Sequence, residues 1–324
     1  MTEFVFFGGK GGVGKTTVSC AHALECAGSG HETLVVSTDP AHSTTDVFEQ
    51  DFGDEPREVE GYTGLSAMEI DPEREVQDHL QDLKRQLNAQ LSAAMVNEVD
   101  IQLEMAHQTP GAYEAALFDR FVDVMQTAED YDTVIFDTSP TGSTLRLLAL
   151  PDLLEQWIDR LVAKRKRSID RYEKAAIGNR EPRRVMDGDP VLARLQQRKE
   201  RFEFAGEVLR ENASFYLVLN PDELSIRETR RSVETLTDAD LPVRGLVVNR
   251  LTPEPDPDED GRGARYLRER VATERDRLDQ IEREFDVPVV ATIETRVEEV
   301  RGSLLEDVAA ELDMGSTDEQ SRLE

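Results

Sequence analysis

The chain has few cysteines and no long hydrophobic run. Only two of its 324 residues are cysteine, and no apolar run approaches the roughly 18 residues that cross a bilayer. Cys20 and Cys26 lie six positions apart, which matches no metal-binding motif, so we expect both thiols to be part of a buried core. The first residues lead straight into an apolar strand rather than a signal peptide. The composition therefore predicts a cytoplasmic protein.

Lysine is also scarce, whereas acidic residues are abundant. Only seven of the 38 basic residues are lysine, and 67 acidic residues give a net charge of −29. Self-repulsion at this charge opposes a compact fold unless salt screens it. The balance is typical of a halophile with a salty cytosol. It disfavours nucleic acid or an anionic membrane surface as a partner.

A glycine-rich segment near the N-terminus is the strongest functional signal. The apolar run Phe4–Phe7 predicts a strand, and the pattern after Lys15 predicts a helix. The glycines between them let successive backbone N–H groups turn toward one anion, and the helix N-terminus adds partial positive charge. Lys15 is placed to reach the β- and γ-phosphates of a nucleotide, and the Thr16 hydroxyl to bind Mg²⁺. The expected nucleotide-binding residues here are Gly9, Lys10, Gly11, Gly12, Val13, Gly14, Lys15, Thr16 and Thr17.

Two later segments each begin with an aspartate at the end of a predicted strand. Asp39 follows the run Thr33–Thr38, and Asp137 follows Tyr131–Phe136. Nucleotide hydrolysis needs a group that orients water at the γ-phosphate and a carboxylate near Mg²⁺. Asp39 suits the first role and Asp137 the second, although either alone would also suit the N-cap of a following helix. These two switch segments comprise Asp39, Pro40, Ala41, His42 and Ser43, and Asp137, Thr138, Pro140, Thr141 and Gly142.

Strands and helices alternate along most of the chain. Further strands are predicted at Leu65–Asp71, Phe215–Leu219, Val243–Asn249 and Val287–Ile293. This alternation, with a phosphate loop after the first strand, predicts an α/β fold: a P-loop NTPase with a parallel, doubly wound sheet. The nucleotide is expected beyond the carboxyl ends of the strands.

The helical stretches 73–128 and 152–213 are too long for simple crossovers between strands. We therefore expect one helical subdomain, inserted in two pieces. The stretch Thr252–Arg265 is rich in proline, acidic residues and glycine and is expected to be a flexible loop. The ATPase domain then comprises 1–72, 129–151 and 214–313, and 314–324 is predicted to be a disordered tail.

Together the motifs resemble one family of ATPases. The segment GKGGVGKT, with Lys10 inside the loop, is similar to the deviant phosphate loop of nitrogenase iron protein and of partition and cell-division ATPases. The segments STDPAHS (37–43) and DTSPTGSTLRLLALP (137–151) narrow the resemblance to the arsenite-pump and tail-anchored-protein targeting ATPase family. The late segments Val247–Arg250 and Glu298–Gly302 extend it over nearly the whole chain.

The resemblance implies a Mg²⁺-dependent ATPase that acts as a homodimer. In such proteins the residue at Asp39 is the hydrolysis residue, Asp137 belongs to the second switch, and the asparagine at Asn249 contacts adenine. The lysine at Lys10 crosses the dimer interface to the partner's nucleotide and neutralises developing charge. The helical subdomains of two protomers form a groove for a hydrophobic transmembrane helix, which opens and closes with nucleotide.

Departures from the family's motifs distinguish its branches. Arsenite-stimulated members use cysteines and a histidine as metalloid ligands, but that histidine position is Ser143 here. Because As(III) requires thiolates, the sequence disfavours arsenite sensing. Targeting factors of eukaryotes hold a bridging zinc with a CxxC pair after the adenine-contact asparagine, and the corresponding stretch 261–270 has no cysteine. No structural zinc is therefore predicted.

Residues that could bind a client are less clearly marked. A stripe at helical spacing could line a client groove, although such a stripe is more often ordinary core. The basic run Lys164–Arg167 could face a membrane receptor, although a solvated helix face is the more usual role of such a run. The stripe consists of Leu80, Leu83, Leu87, Leu91 and Met95.

The leading hypothesis is an ATPase that captures and releases transmembrane segments of tail-anchored proteins. One alternative is an ATPase that drives an arsenite pump by docking on a membrane arsenite channel. Another is a partition or cell-positioning switch that uses ATP for timing. That role would need a membrane anchor or a basic surface, and the polar C-terminal segment supplies no anchor.

Overall fold

The computed structural model describes residues 2–38, 43–71, 74–75, 112–137, 159–160, 162–163, 167, 190–312 and 314. Runs of valine, isoleucine, leucine and phenylalanine form the strands, because such side chains pack well on a pleated surface. The strands are β1 (Glu3–Gly9), β2 (Thr33–Ser37), β3 (Arg57–Glu58), β4 (Leu65–Glu69), β5 (Thr133–Asp137), β6 (Ala213–Leu219), β7 (Val243–Leu251) and β8 (Val289–Glu294).

These strands form one sheet in the order β3-β4-β2-β5-β1-β6-β7-β8. Every described pair of neighbours is parallel except the short edge pair β3–β4. The chain builds outward from β1 in both directions, so the sheet is doubly wound and the predicted α/β fold is confirmed.

Helices cover both faces of this sheet. None of the helices in the described part of the chain is long and apolar enough to cross a bilayer. The helices are α1 (Lys15–Gly28), α2 (Ser43–Phe48), α3 (Ala112–Thr127), α4 (Pro190–Glu211), α5 (Glu223–Asp238), α6 (Arg262–Glu284) and α7 (Ser303–Glu311).

Alternate side chains of β1 enter opposite hydrophobic cores. Phe6 stacks on Phe136 and Phe215, with ring centroids 4.6 and 4.9 Å apart. Phe7 points to the other face and stacks on Tyr216 at 5.7 Å. Helices α3 to α6 contribute buried side chains to the first core, and α1, α2 and α7 to the second. Because both faces are covered, the central strands are continuous apolar runs rather than alternating ones.

The parallel register brings three strand ends to one edge of the sheet. Asp137, the last residue of β5, lies opposite Phe7 of β1 and Ser37 of β2. The loop after β1 and the segment after β2 therefore start beside the same carboxylate. This edge is where a doubly wound sheet binds its ligand.

The predicted strands are confirmed with small shifts at their ends, but the loop predicted at Thr252–Arg265 is shorter than expected. Helix α6 begins at Arg262, after Gly261 in an extended conformation. The run of arginine, leucine and glutamate that follows forms helix readily and outweighs the single glycine at Gly263. The two-residue edge strand β3 lies between α2 and β4 and was not among the predicted strands.

The described ends of the predicted helical insert pack on the sheet itself. In α3, Phe121 meets Phe136 edge to face at 5.0 Å, and Arg198 of α4 pairs with Asp119 of α3 at 2.9 Å. Leu209 of α4 is fully buried in the same core. Most of the insert lies outside the described residues, so the domain division stays a prediction. The same holds for the client stripe of Leu80, Leu83, Leu87, Leu91 and Met95.

Candidate functional site

The loop between β1 and α1 is shaped by glycines that no other residue could replace. A Cβ atom on Gly9 would lie 2.3 Å from the carbonyl oxygen of Val218 in β6. Gly14 has φ of +92° and precedes α1 as its N-cap, where no side chain caps the first turn. The bare N–H groups of this turn line a cavity. A helix N-terminus of this kind favours an anion.

Lys15 turns back over the loop from the first position of α1. It is only 8% exposed, and its Nζ donates a hydrogen bond to the carbonyl oxygen of Lys10 at 3.4 Å. The ammonium group therefore lies within the curl of the loop, beside the N–H groups of the helix start. This arrangement concentrates positive charge at one point, as binding of a polyphosphate requires. Lys10 itself is partly exposed.

A direct hydrogen bond links the side chains of Thr16 and Asp137. The Thr16 hydroxyl donates to Oδ2 of Asp137 at 2.6 Å, and the aspartate is 1% exposed. A second contact ties the end of β2 to this residue, because the Thr38 backbone N–H donates to the Asp137 carbonyl oxygen at 3.2 Å. A hydroxyl and a carboxylate are hard oxygen donors of the kind Mg²⁺ prefers, so the residues present fit this ion.

Asn249, at the end of β7, is tied to the same loop. Its Nδ2 donates to the carbonyl oxygen of Val13 at 2.7 Å, and its Oδ1 accepts from the backbone N–H of Arg250 at 2.8 Å. The side chain is 7% exposed and lies so close to Gly14 that a Cβ atom there would be 2.3 Å from Nδ2. In this structure the asparagine amide thus fixes the position of the loop. The resemblance to the ATPase family described above implies that Asn249 contacts adenine, and it does not predict this contact with the loop.

A cavity of about 460 Å³ extends from the loop across the edge of the sheet. We call the part formed by residues 12–17 the loop end. A second part, the arginine end, is formed by Arg250 and by lining residues from Ile293 in β8 to Arg301 before α7. Ser43, Asp46 and Val47 of α2 also line the cavity. The volume suits a nucleotide better than a single inorganic anion.

Glu69 holds α2 in place beside the cavity. It is 5% exposed at the end of β4, where its carboxylate accepts hydrogen bonds from the backbone N–H and the hydroxyl of Thr45 at 2.9 and 3.2 Å. Sequence reasoning missed this residue. Its position at the end of a strand, next to the end of β2, is the same signal that identified Asp39 and Asp137.

Sequence reasoning also missed the arginine end. Arg250, Arg296 and Arg301 all line the cavity. The motifs Val247–Arg250 and Glu298–Gly302 contain two of these arginines, but neither arginine was assigned a role. Glu294 and Thr295 line the same cavity. Charged residues in loops carry little signal in a chain this rich in charge, so only the fold brings them together.

Part of the predicted site lies outside the described residues. This applies to Asp39, Pro40, Ala41 and His42 of the first switch and to Thr138, Pro140, Thr141 and Gly142 of the second. The structure brings together the other predicted residues: the loop from Gly9 to Thr17, Ser43, Asp137 and Asn249. The roles assigned to them stay predictions.

The two cysteines lie on α1, behind the loop. Cys20 is buried, and its burial, reinforced by the charge of Asp137, raises the pKa of the thiol. Cys26 is partly exposed, and its Sγ lies 3.7 Å from Nε2 of His22. Burial alone would lower the pKa of His22, but hydrogen bonds with Cys26 and Glu25 outweigh it and raise that pKa to about 10. Among the described residues, no three acidic, histidine or cysteine side chains could hold a metal ion.

Comparison with known proteins gives matches over almost the full chain. The profile of a family described as anion-transporting ATPase matches residues 2–313. The ATPase get3 of Aspergillus terreus is 34% identical over 310 residues, which are 93% of this chain and 87% of that protein.

Two further relatives are named as arsenical pump-driving ATPases. One, from Halobacterium salinarum, is 36% identical over 317 residues, which are 96% of this chain but only 44% of that protein. The other, from Aquifex aeolicus, is 32% identical over 298 residues, which are 92% of this chain and 94% of that protein. The chain thus spans less than half of the Halobacterium relative and most of the other two. A haloarchaeal relative agrees with the halophilic composition.

Proposed function

The chain belongs to the anion-transporting ATPase family and is an ATPase, and on that basis we propose that it acts as a homodimer that captures and releases transmembrane segments of tail-anchored membrane proteins. The observation that carries the catalytic part is the joined Thr16–Asp137 pair beside the buried Lys15. The observation that favours the targeting branch is the placement of the thiols. Cys20 and Cys26 lie on one helix behind the loop, away from the cavity lining.

At the loop end the residues of this chain bind and orient the triphosphate. The N–H groups of the loop and of the first turn of α1 donate to phosphate oxygens, and Lys15 neutralises charge at the β- and γ-phosphates. Thr16 and Asp137 would hold Mg²⁺, directly or through water. When bound, that ion supplies electrostatic stabilisation of the phosphate oxygens.

Hydrolysis then needs an oriented water and a neutralised leaving group. Asp39 orients the water, whose oxygen forms a bond to the γ-phosphorus while the bond from that phosphorus to the β–γ bridging oxygen breaks. ADP leaves with the bridging oxygen, and the proton lost by the attacking water passes to the phosphate that is formed or to solvent. Lys10 of the second protomer stabilises the charge that develops there, in the manner of an arginine finger. One protomer alone is therefore incomplete for turnover.

An arsenite-pump role is the second candidate, because two of the relatives carry that name. In this role the chain would dock on an arsenite channel and be stimulated by As(III). Capture of the metalloid requires two or three thiolates. The chain has two cysteines, of which Cys20 is fully buried and has a raised pKa. This chemistry makes targeting the stronger proposal.

The test is ATP turnover by the purified protein in molar KCl, with and without arsenite and with a transmembrane peptide kept soluble without detergent. We expect that arsenite does not change the rate of ATP turnover by wild type. We expect no turnover by Asp39→Asn. The ATP-bound Asp39→Asn dimer should capture the peptide, because it binds ATP without hydrolysing it. Asp51→Asn, an exposed acidic residue outside the cavity lining, is the matched control and should behave as wild type.

Two results would overturn parts of this proposal. Stimulation by arsenite without peptide capture would favour the pump role. Turnover that survives in Asp39→Asn would remove the hydrolytic role of this aspartate while leaving the ATPase itself intact.

A further inference from the structure

The strand that carries Asn249 is interrupted at the cavity. Val248 of β7 pairs with Thr292 of β8, and Leu251 pairs with Glu294. Two residues of β7, Asn249 and Arg250, thus stand opposite a single residue of β8, which is the definition of a β-bulge. Bulges next to active sites redirect a side chain that would otherwise follow the alternation of the strand.

Arg250 adopts a backbone conformation that is unfavourable for its residue type. Its φ is +63°, in the left-handed region that favours glycine. The Asn249 side chain supports this conformation, because its Oδ1 accepts the Arg250 backbone N–H at 2.8 Å. The same asparagine is anchored to the loop through the Val13 carbonyl oxygen. Strain of this kind persists where the surrounding structure enforces it, and it concentrates at functional sites.

The Arg250 guanidinium differs from its two neighbours at the arginine end. Arg296 pairs with Glu311 and donates to the Glu294 carbonyl oxygen, and Arg301 pairs with Glu299 and lies 3.7 Å from Glu49. For Arg250, no described residue accepts a hydrogen bond from the guanidinium or forms an ion pair with it. The residue is exposed and lines the cavity. Of the three arginines that line this cavity, Arg250 is thus the one whose guanidinium has no such partner in the described part of the chain.

We propose that Arg250 binds the base of the nucleotide, a role that rests on the nucleotide site proposed above. The loop end already concentrates Lys15 and the N–H groups of α1 for the phosphates, so the base must extend toward the arginine end. A planar guanidinium stacks on an aromatic base and donates hydrogen bonds to its ring nitrogens. Asn249, which contacts both the Val13 carbonyl oxygen and the Arg250 backbone N–H, holds the Arg250 backbone beside the loop. Arg250 is thus a base-binding residue rather than a phosphate-binding one.

Arg250 also borders a second cavity, of about 560 Å³, beside Tyr266 and Glu269 of α6. If Arg250 served only that cavity, nucleotide affinity would not depend on it. The test therefore separates three cases: contact with the base, contact with phosphate, and contact with neither.

The experiment compares Arg250→Gly with Arg244→Gly in the full-length protein in molar KCl. Arg244 is an exposed arginine of the same strand that lines neither cavity and has no left-handed backbone. Three quantities are measured: the thermal midpoint without nucleotide, the KM for ATP, and the inhibition constant of tripolyphosphate. Tripolyphosphate has no base, so its inhibition constant reports binding of phosphate at the loop end alone.

For Arg250→Gly we expect a higher thermal midpoint, because glycine relieves the left-handed strain. The KM for ATP should rise about three- to thirtyfold, the range of a cation–π contact, while tripolyphosphate inhibition stays unchanged. Arg244→Gly should lower the midpoint, as glycine does within a strand, and leave both constants unchanged. A gain in stability combined with a loss of ATP affinity is a result that a purely structural role cannot produce.

Two outcomes would overturn the inference. An equal loss of ATP and tripolyphosphate affinity would make Arg250 a phosphate ligand. Unchanged affinity for both would remove it from the nucleotide site. Arg250→Lys, which keeps the charge but not the planar group, should also raise the KM for ATP and serves if the glycine variant fails to fold. If wild type itself neither hydrolyses ATP nor binds tripolyphosphate, the proposed function fails, and the inference fails with it.

Discussion

The two ends of the cavity are built in opposite ways. At the loop end each side chain contacts its neighbours: Thr16 with Asp137, Lys15 with the Lys10 carbonyl, and Asn249 with the Val13 carbonyl. At the arginine end most lining residues are charged and exposed. Arg250 and Glu294 lie at the ends of β7 and β8, the others mostly in the segment before α7, and Arg250 has a left-handed backbone conformation at the register shift. The loop end therefore has its geometry set before ligand arrives. This contrast supports our proposals that ATP is hydrolysed at the loop end and that its base binds at the arginine end.

The largest effect should come from the loop end. Lys15→Gln removes the charge within the loop, and we expect ATP turnover to fall about 10²- to 10³-fold, as for loss of a transition-state donor. Since the arginine end is untouched, binding of adenosine, which has no phosphate, should not change. Measuring turnover and adenosine inhibition separates the two ends. A loss of adenosine binding in Lys15→Gln would show that the ends are not independent.

The second prediction concerns Lys10, which is expected to complete the partner's site. Lys10→Gln and Asp39→Asn should each be nearly inactive alone. In mixed dimers, one of the two sites would combine an intact Asp39 with an intact Lys10 from the other protomer. An equimolar mixture should therefore recover up to about a quarter of wild-type turnover, since half of the dimers are mixed. No recovery after subunit exchange would place Lys10 in its own protomer's site.

The third prediction tests how tightly the asparagine links the two ends. Gly14→Ala suffers both left-handed strain and a clash with Asn249, so it should cost more than the roughly 1–3 kcal/mol of strain alone. In an Asn249→Ala background the clash disappears, and the cost of Gly14→Ala should fall by about 0.5–3 kcal/mol. Urea unfolding of the four proteins of this cycle measures the difference.

Gly30→Ala provides the matched control for this cycle. Gly30 has the same φ of +92°, but nothing lies within 4 Å of the position its Cβ would take. Its cost should be the same with and without Asn249. Equal costs of Gly14→Ala in both backgrounds would mean that the asparagine does not brace the loop.

The smallest effect concerns the helix behind the loop end. The pKa of His22 is raised from 6.5 to about 10, so its protonated form stabilises the fold fully below pH 6.5 and loses that contribution as the pH rises through 10. Wild type should therefore lose more stability between pH 7 and 10 than His22→Gln does. The control His31→Gln should keep the wild-type profile. Identical profiles for wild type and His22→Gln would contradict the raised pKa of His22.

The same contrast explains how much of the site could be predicted. The glycine loop, Lys15 and Thr16 are contiguous in sequence, so a local motif predicts that they bind phosphate. The position of Asp137 at a strand end could be predicted because the carboxyl ends of parallel strands lie at one edge of the sheet. Arg250 depends on a register shift between β7 and β8, which no residue pattern reveals. The buried carboxylate of Glu69 had the right position but no distinguishing neighbours in sequence.

The fold was largely predictable because the apolar strand patterns and the phosphate-binding loop both indicate a parallel α/β sheet. Buried runs such as Thr33–Ser37 and Thr133–Asp137 have a strong apolar signal on both faces. Helix boundaries were harder to predict, as the start of α6 at Arg262 shows. In a chain with so many arginines and acidic residues, charge does not distinguish a helix start from a loop.

The most direct test of the account is photolabelling with 8-azido-ATP, which carries its reactive group on the base. The labelled peptide, identified by mass spectrometry, should contain Arg250 or residues 293–301, and excess ATP should prevent the labelling. Tripolyphosphate should prevent it as well, since the phosphates occupy the loop end. A label on α6 near Tyr266, or one that ATP does not displace, would contradict the assignment of the two ends.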